Sequence, residues 1–161
     1  MKPYDSEVVQ APRRVAIGAD HAGFALKSEL VKRLEARGLT VLDLGTHSSS
    51  SVDYPDYAGA VSAAVLDGRA ERGILICKTG IGMSMSANKI RGIRAALVHE
   101  RESTILSRLH NNANVLVFGA VDFEGTPDGA DLAEALTTIW LETGFDGDRH
   151  TRRLDKMDGL A

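Results

Sequence analysis

Residues 74–89 read ILICKTGIGMSMSANK: an apolar run ends in Cys77, the only cysteine of the chain, and Lys78, Thr79, Gly80 and Gly82 follow at once. A thiol and a hydroxyl beside a glycine-rich turn suit abstraction of a proton next to a developing anion. The thiolate is the reactive form of cysteine, and a free thiol of pKa about 8.5 is only a few per cent ionised at neutral pH. A strand-end position before a helix N-terminus, with Lys78 adjacent, would favour the ionised form. The backbone N–H groups of Gly80, Ile81, Gly82, Met83 and Ser84 would then line an anion hole. Both features also have a plain structural reading. Buried free cysteines commonly act as small hydrophobes, and the glycines would serve equally for a tight strand-to-helix crossing. Nucleotide motifs fit poorly: Lys78 precedes the glycines instead of following them, and the GADHAG stretch is not GxGxxG.

Other groups with chemical capacity are Asp20 and His21 in GADHAG, Asp53 and Tyr54 in VDYP, His99 and Glu100, and the run His110-Asn111-Asn112. Asp20 reads equally as the N-cap of the helix after it, and His110 as a dipole-compatible helix C-cap. Arg149, Arg152 and Arg153 fall in a polar terminal stretch. They read as a solvated charge run, and also as the guanidinium groups that a phosphate needs.

The elements that would position these groups alternate along the chain. Strands are expected at 14–19, 40–44, 73–77, 94–98 and 114–118. Helices are expected at 22–37, 55–67, 82–89, 100–109 and 128–143, several of them stopped by glycine. Leu26, Leu30 and Leu34 share one face of the first long helix, and Leu132, Leu136, Ile139 and Trp140 are expected inward on the last. The strands are apolar throughout instead of alternating, which argues a parallel sheet covered by helices on both faces. Ligands of such sheets bind at the carboxyl ends of the strands, where strand order reverses. The candidate groups after strands one to four belong to that edge.

Bulk properties agree. A length of 161 residues, with 43% hydrophobic and 25% charged residues, suits one globular domain with a sizeable core. The first 13 residues read as a flexible leader without a signal-peptide core, and residues 14–161 as the single domain. A net charge of −3 gives no electrostatic case for nucleic acid or an anionic membrane. No apolar run approaches the roughly 20 residues of a membrane helix. A lone cysteine fits a reducing, cytoplasmic setting.

The segments GADHAGFALK, VDYPDYA, GILICKTGIGMSMSANK, GIRAALVHE, HNNANVLVFG and GDRHTRRL occur in this order. Together they resemble the ribose-5-phosphate isomerase B family, which also includes the galactose-6-phosphate isomerase subunits. The resemblance runs from about Arg14 to about Leu154. It implies a Rossmann-like α/β/α sandwich whose five parallel strands are ordered 2-1-3-5-4. It also implies a homodimer, often paired into a tetramer, with active sites shared between subunits. The implied reaction is aldose–ketose isomerisation of a sugar phosphate through a cis-enediolate, with neither metal nor organic cofactor.

By this resemblance Cys77 is the base that moves the proton between C1 and C2, and Thr79 bonds the sulfur or relays its proton. His110 protonates the ring oxygen during ring opening, with Asp20 on the hydroxyl side. His21, Arg149 and Arg153 correspond to phosphate-binding positions, and Asn111 and Tyr54 to sugar-contacting ones. His110 and Asn111 are implied to reach the site from the partner chain. Members without the cysteine use a carboxylate at the position of Met83, so this chain groups with the cysteine users. Two residues depart from the pattern: Lys78 stands where glycine is usual, and Val121 where an arginine often holds phosphate. These departures leave ribose 5-phosphate, a tetrose phosphate and a hexose phosphate open as substrates. A non-catalytic sugar-phosphate-binding subunit is the rival from another class.

Overall fold

The computed structural model describes residues 11–160. Most of the expected leader, residues 1–10, lies outside them. Within the described part, Pro12 is buried and the Arg13 N–H donates to the Glu71 carboxylate at 2.9 Å.

Five strands form one parallel sheet: β1 (Arg14–Ala19), β2 (Thr40–Asp43), β3 (Arg72–Cys77), β4 (Ala95–Leu97) and β5 (Val115–Gly119). The strand order is β2-β1-β3-β5-β4, as the resemblance implies. Order reverses between β1, whose chain continues outward to β2, and β3, whose chain continues towards the other edge. That places the switch point between the carboxyl ends of β1 and β3.

The helices are α1 (Phe24–Ala36), α2 (Tyr54–Leu66), α3 (Ile81–Ala87), α4 (Arg101–Leu109), α5 (Gly129–Glu142) and α6 (Arg149–Asp158). Two separate apolar layers sandwich the sheet. Ile17, Ile74, Ile76, Leu116 and Phe118 face Leu30, Leu34, Leu136 and Trp140 from α1 and α5. Ala16, Leu75, Val115 and Val117 face Val61, Ala64, Met83 and Ala87 from α2 and α3. Successive strand residues point to opposite faces, so a strand covered on both must be apolar at every position. The central strand β3 follows that rule: Gly73 to Cys77 are all buried.

Three expectations change. The helix after β1 starts at Phe24, and its N-cap is Gly23, not Asp20. Leu132 is exposed, because the inward stripe of α5 is Ala133, Leu136, Thr137, Trp140 and Leu141. The terminal polar stretch is helix α6, with His150 and Leu154 buried one turn apart and the arginines facing outward. Its helical signal consists of those two residues and little else, since the rest of the turn is charged. Among the described residues no helix is long and apolar enough to cross a membrane.

Candidate active site

Cys77 is the last residue of β3, 5% exposed, at the switch point. The chain then turns sharply. Gly80 adopts φ +75°, which disfavours a Cβ, and a Cβ there would also collide with Leu97 Cδ1 and lie 3.0 Å from the Phe118 carbonyl carbon. The turn folds back on the thiol, so that the Gly80 N–H donates to Cys77 Sγ at 3.1 Å. The Ile81 N–H points at Thr79 Oγ1 at 3.4 Å, and the Ser84 N–H is committed to the Gly80 carbonyl at 2.9 Å. Of the five amides expected to line an anion hole, those of Gly82 and Met83 are left without a partner among the described residues. Met83 offers only its backbone, because its side chain is fully buried under the turn.

The walls follow from neighbouring strands. Ala19 of β1 is level with Ile76, and the Asp20 N–H donates to the Ile76 carbonyl at 3.2 Å. Asp20 therefore stands beside Cys77 across the switch point. Its Oδ1 accepts from the N–H groups of Ala22 and Gly23 at 3.0 and 3.1 Å, which fixes the carboxylate in the turn before α1. The neighbouring His21 accepts from the Val52 N–H through Nδ1 at 3.2 Å and ties the β2–α2 loop over the β1 end. Tyr54, at the start of α2, lays its ring over Gly82: a Cβ on that glycine would meet the ring at 2.7 Å. Asp20, His21, Tyr54, Cys77, Thr79 and residues 80–84 thus form one cluster.

The other expected residues form a second cluster at the opposite edge. Helix α4 leaves the carboxyl end of β4 and runs back towards the amino end of β5. His110 closes it as the C-cap, its N–H donating to the Leu106 carbonyl. Nine helical residues separate the two edges by about 13 Å. His110 stacks on His150 of α6 with ring centroids 4.2 Å apart and planes inclined by 10°. Asn111, Arg149 and Arg153 are on this side too, close in sequence to the stacked pair. Within one chain, then, His110 and Cys77 do not meet.

Several residues that sequence reasoning missed shape both clusters. Lys27 is 1% exposed, and its Nζ lies 2.6 Å from both Asp43 oxygens. Asp43 Oδ1 also accepts from the Gly45 N–H at 3.0 Å. The Gly45 carbonyl and the Thr46 N–H in turn pair with Ala19 at 2.8 Å each, which steadies the residue before Asp20. At the other edge, buried Arg108 donates to Thr143 O, Asn112 Oδ1 and Ala113 O, gripping the turn that carries His110 and Asn111. Burial and the neighbouring Arg72 and Arg94 charges lower its pKa to about 10. His150 is buried, with no hydrogen-bond partner for Nε2 among the described residues. Its pKa is pushed down chiefly by burial, then by His110, Arg149 and Arg153, against an opposing pull from Asp146. A lysine inside a helix or a histidine in a charge run gives no local sign that it is buried.

A thiol with an N–H on its sulfur, a fixed carboxylate beside it, free backbone amides and a phenol are the equipment of an acid–base enzyme working on a small polar substrate at the switch point of a parallel sheet. Residues 15–157 match the family model described as Ribose/Galactose Isomerase. Ribose-5-phosphate isomerase B of Escherichia coli is 44% identical over 148 residues, 92% of this chain and 96% of that one. The solved ribose 5-phosphate isomerase of Thermotoga maritima superimposes with a TM-score of 0.85 at 46% identity, over 94% of this chain and 99% of its own. D-erythrulose-4-phosphate isomerase of Pectobacterium atrosepticum is 39% identical over 144 residues, 89% of this chain and 91% of that one. The chain belongs to the ribose/galactose isomerase family.

Proposed function

We propose that the chain interconverts ribose 5-phosphate and ribulose 5-phosphate, with Cys77 as the base. Its reaction class, aldose–ketose isomerisation of a sugar phosphate, follows from its family and the relatives' activities. The observation that carries the residue assignment is the Cys77 thiol at the switch point, held under the Gly80 N–H with Asp20 alongside. In the open-chain aldose the thiolate removes the C2 proton and returns it to C1, while the hydroxyl proton passes from O2 to O1. The negative charge of the cis-enediolate develops on oxygen, where the Gly82 and Met83 amides supply donors. One such preorganised donor is worth about 3 kcal/mol of transition-state stabilisation. Thr79 supports the proton transfer, and Tyr54 closes the sugar side over Gly82.

Ring opening precedes this step. His110 donates a proton to the ring oxygen, and Asp20 accepts the one leaving the anomeric hydroxyl. The opposite-edge position of His110 supports a homodimer in which a second copy supplies His110, Asn111, Arg149 and Arg153 to each site; His21 is the phosphate contact contributed by the first chain. The reaction needs no metal or organic cofactor, and a catalytic thiol is best preserved in a reducing cytoplasm.

The test is Cys77→Ala. A folded variant should lose at least 10²-fold in turnover, the low end for a positioned acid–base group. Iodoacetamide should inactivate the native enzyme, and saturating sugar phosphate should protect it. Near-normal turnover by Cys77→Ala would remove the thiol from the mechanism and, with it, this residue assignment.

A second reading keeps the reaction and changes the sugar. Lys78 is exposed beside the anion turn, and the exposed side chain at 121 is a valine without charge. A phosphate drawn towards Lys78 suits a shorter substrate, and the Pectobacterium relative acts on a four-carbon ketose phosphate. Rates on a panel of four- to six-carbon aldose and ketose phosphates separate the two readings. The one with the highest kcat/KM stands.

A further inference from the structure

On the far side of Gly119 from Cys77 lies a histidine–carboxylate pair that the mechanism above does not use. His99 Nδ1 is 2.7 Å from Asp122 Oδ2. Register fixes where this pair is. Cys77 is level with Gly119 of β5, and Leu97 of β4 with Val117. The Val98 N–H continues the ladder to the Val117 carbonyl. His99 therefore emerges level with Gly119, two strand spacings or about 10 Å from Cys77 along the same carboxyl edge. That distance is on the scale of a phosphorylated sugar chain whose reacting carbons lie at the thiol.

The pair is joined to the catalytic turn. A Cβ on Gly119 would lie 3.0 Å from Asp122 Oδ2 and 2.8 Å from the Thr79 carbonyl, so the carboxylate and Thr79 flank the same glycine. The Val121 N–H donates to the Lys78 carbonyl at 3.1 Å, binding the 3-10 turn over Ala120–Asp122 to the turn after Cys77. Asp122 takes up Nδ1, and the Nε2 edge of His99 has no partner among the described residues, on a side chain that is 56% exposed. When one ring nitrogen is held by a carboxylate, the ring's orientation is set and the other nitrogen is presented to a ligand. Lys78, also exposed, brings a cation to the same rim.

We propose that His99 is a further substrate-contacting residue, whose doubly protonated ring donates Nδ1–H to Asp122 and Nε2–H to the phosphate of the sugar phosphate, and that Asp122 is the positioning residue that aims it. This rests on the isomerase reading and deepens it: the pair would determine how far from the reacting carbons the phosphate is held. The contact is made in ground state and transition state alike, so its loss raises KM and leaves kcat.

The experiment compares wild type with His99→Ala, Asp122→Asn and the double variant, as full-length protein, in steady-state kinetics on the best sugar phosphate. Inorganic phosphate serves as a competitive inhibitor and, separately, as a calorimetric ligand. His99→Ala should raise KM and weaken inorganic phosphate about tenfold each, with kcat within threefold of wild type. Asp122→Asn should move both in the same direction by less. The double variant should match His99→Ala, because Asp122 acts only through the ring. Unchanged KM and phosphate affinity in folded His99→Ala overturn the proposal, as does a fall in kcat alone. Equal and additive losses from the two single variants overturn the positioning role. A wild type that turns over no sugar phosphate fails the isomerase reading instead, and calorimetry with inorganic phosphate still decides whether His99 binds the anion.

Discussion

Replacing Asp43 by asparagine should destabilise the protein far more than replacing its partner Lys27 by methionine. The lysine is 1% exposed and has its ammonium 2.6 Å from both carboxylate oxygens, whereas the Asp43 side chain is 28% exposed. Asp43→Asn keeps the shape of the side chain and leaves a buried ammonium without a counter-charge. Breaking a buried pair in this way costs about 3–5 kcal/mol. Lys27→Met keeps most of the packed stem, and the carboxylate left behind can turn to water and retain the Gly45 N–H, so about 1 kcal/mol is expected. For a chain of this size 1 kcal/mol moves Tm by about 2–4 °C. The asparagine variant should thus melt about 6 °C or more below wild type, and the methionine variant within about 4 °C of it. Adding Lys27→Met to Asp43→Asn should restore most of the loss. Urea unfolding at one fixed protein concentration checks this, since the midpoint of an oligomer depends on concentration. If Lys27→Met proves as damaging as Asp43→Asn, or the double variant is the least stable of the three, the attribution to an orphaned charge is wrong.

Two further outcomes follow from the opposite edge. Cys77→Ala and His110→Ala are each expected to be nearly inactive, yet subunits of the two, mixed under dissociating conditions and reassembled, should regain measurable turnover, because one site of each mixed dimer then carries neither substitution; no recovery after verified exchange would place both residues in one chain's site. His150 gives a pH signature: its folded-state pKa is lowered, chiefly by burial, so the folded state resists protonation that the unfolded chain accepts. Its contribution is fully present above the unfolded value of about 6.5 and is lost as pH falls through the lower folded value. His150→Phe keeps a ring against His110 and should flatten the decline in urea midpoint between pH 8 and pH 5, whereas an unchanged slope would assign the pH dependence to other groups.

The sheet was legible because its signals are local. Apolar runs of five or six residues ending in glycine or a polar turn mark β1, β3 and β5, and β1 spans the expected residues. The carboxyl-edge cluster was legible for the same reason. Asp20, Cys77 and Thr79 each end or closely follow a strand, Tyr54 opens the helix after β2, and parallel topology sends such positions to one edge. Element ends were less clear. Asp20 has the residue type of an N-cap, but its carboxylate closes a turn with Ala22 and Gly23, and the helix begins beyond that turn.

What the sequence hid is the set of charged residues placed inside. Lys27, Arg108 and His150 carry no local mark of burial, because each is buried by partners distant in sequence or by a turn whose path is set elsewhere. Each also stands behind a residue to which a chemical role is proposed above. Lys27 and Asp43 lie behind the strand end that carries Asp20, Arg108 behind the turn that carries His110, and His150 against the His110 ring. Buried charge is costly unless paired. Such groups therefore hold their neighbours in one arrangement, since a shift that breaks the pairing exposes the whole penalty. Motif reading finds the groups proposed to touch substrate, because strand-end turns announce themselves. The groups that aim them are set by packing, and in this protein they are basic residues in places where pattern alone predicts solvent.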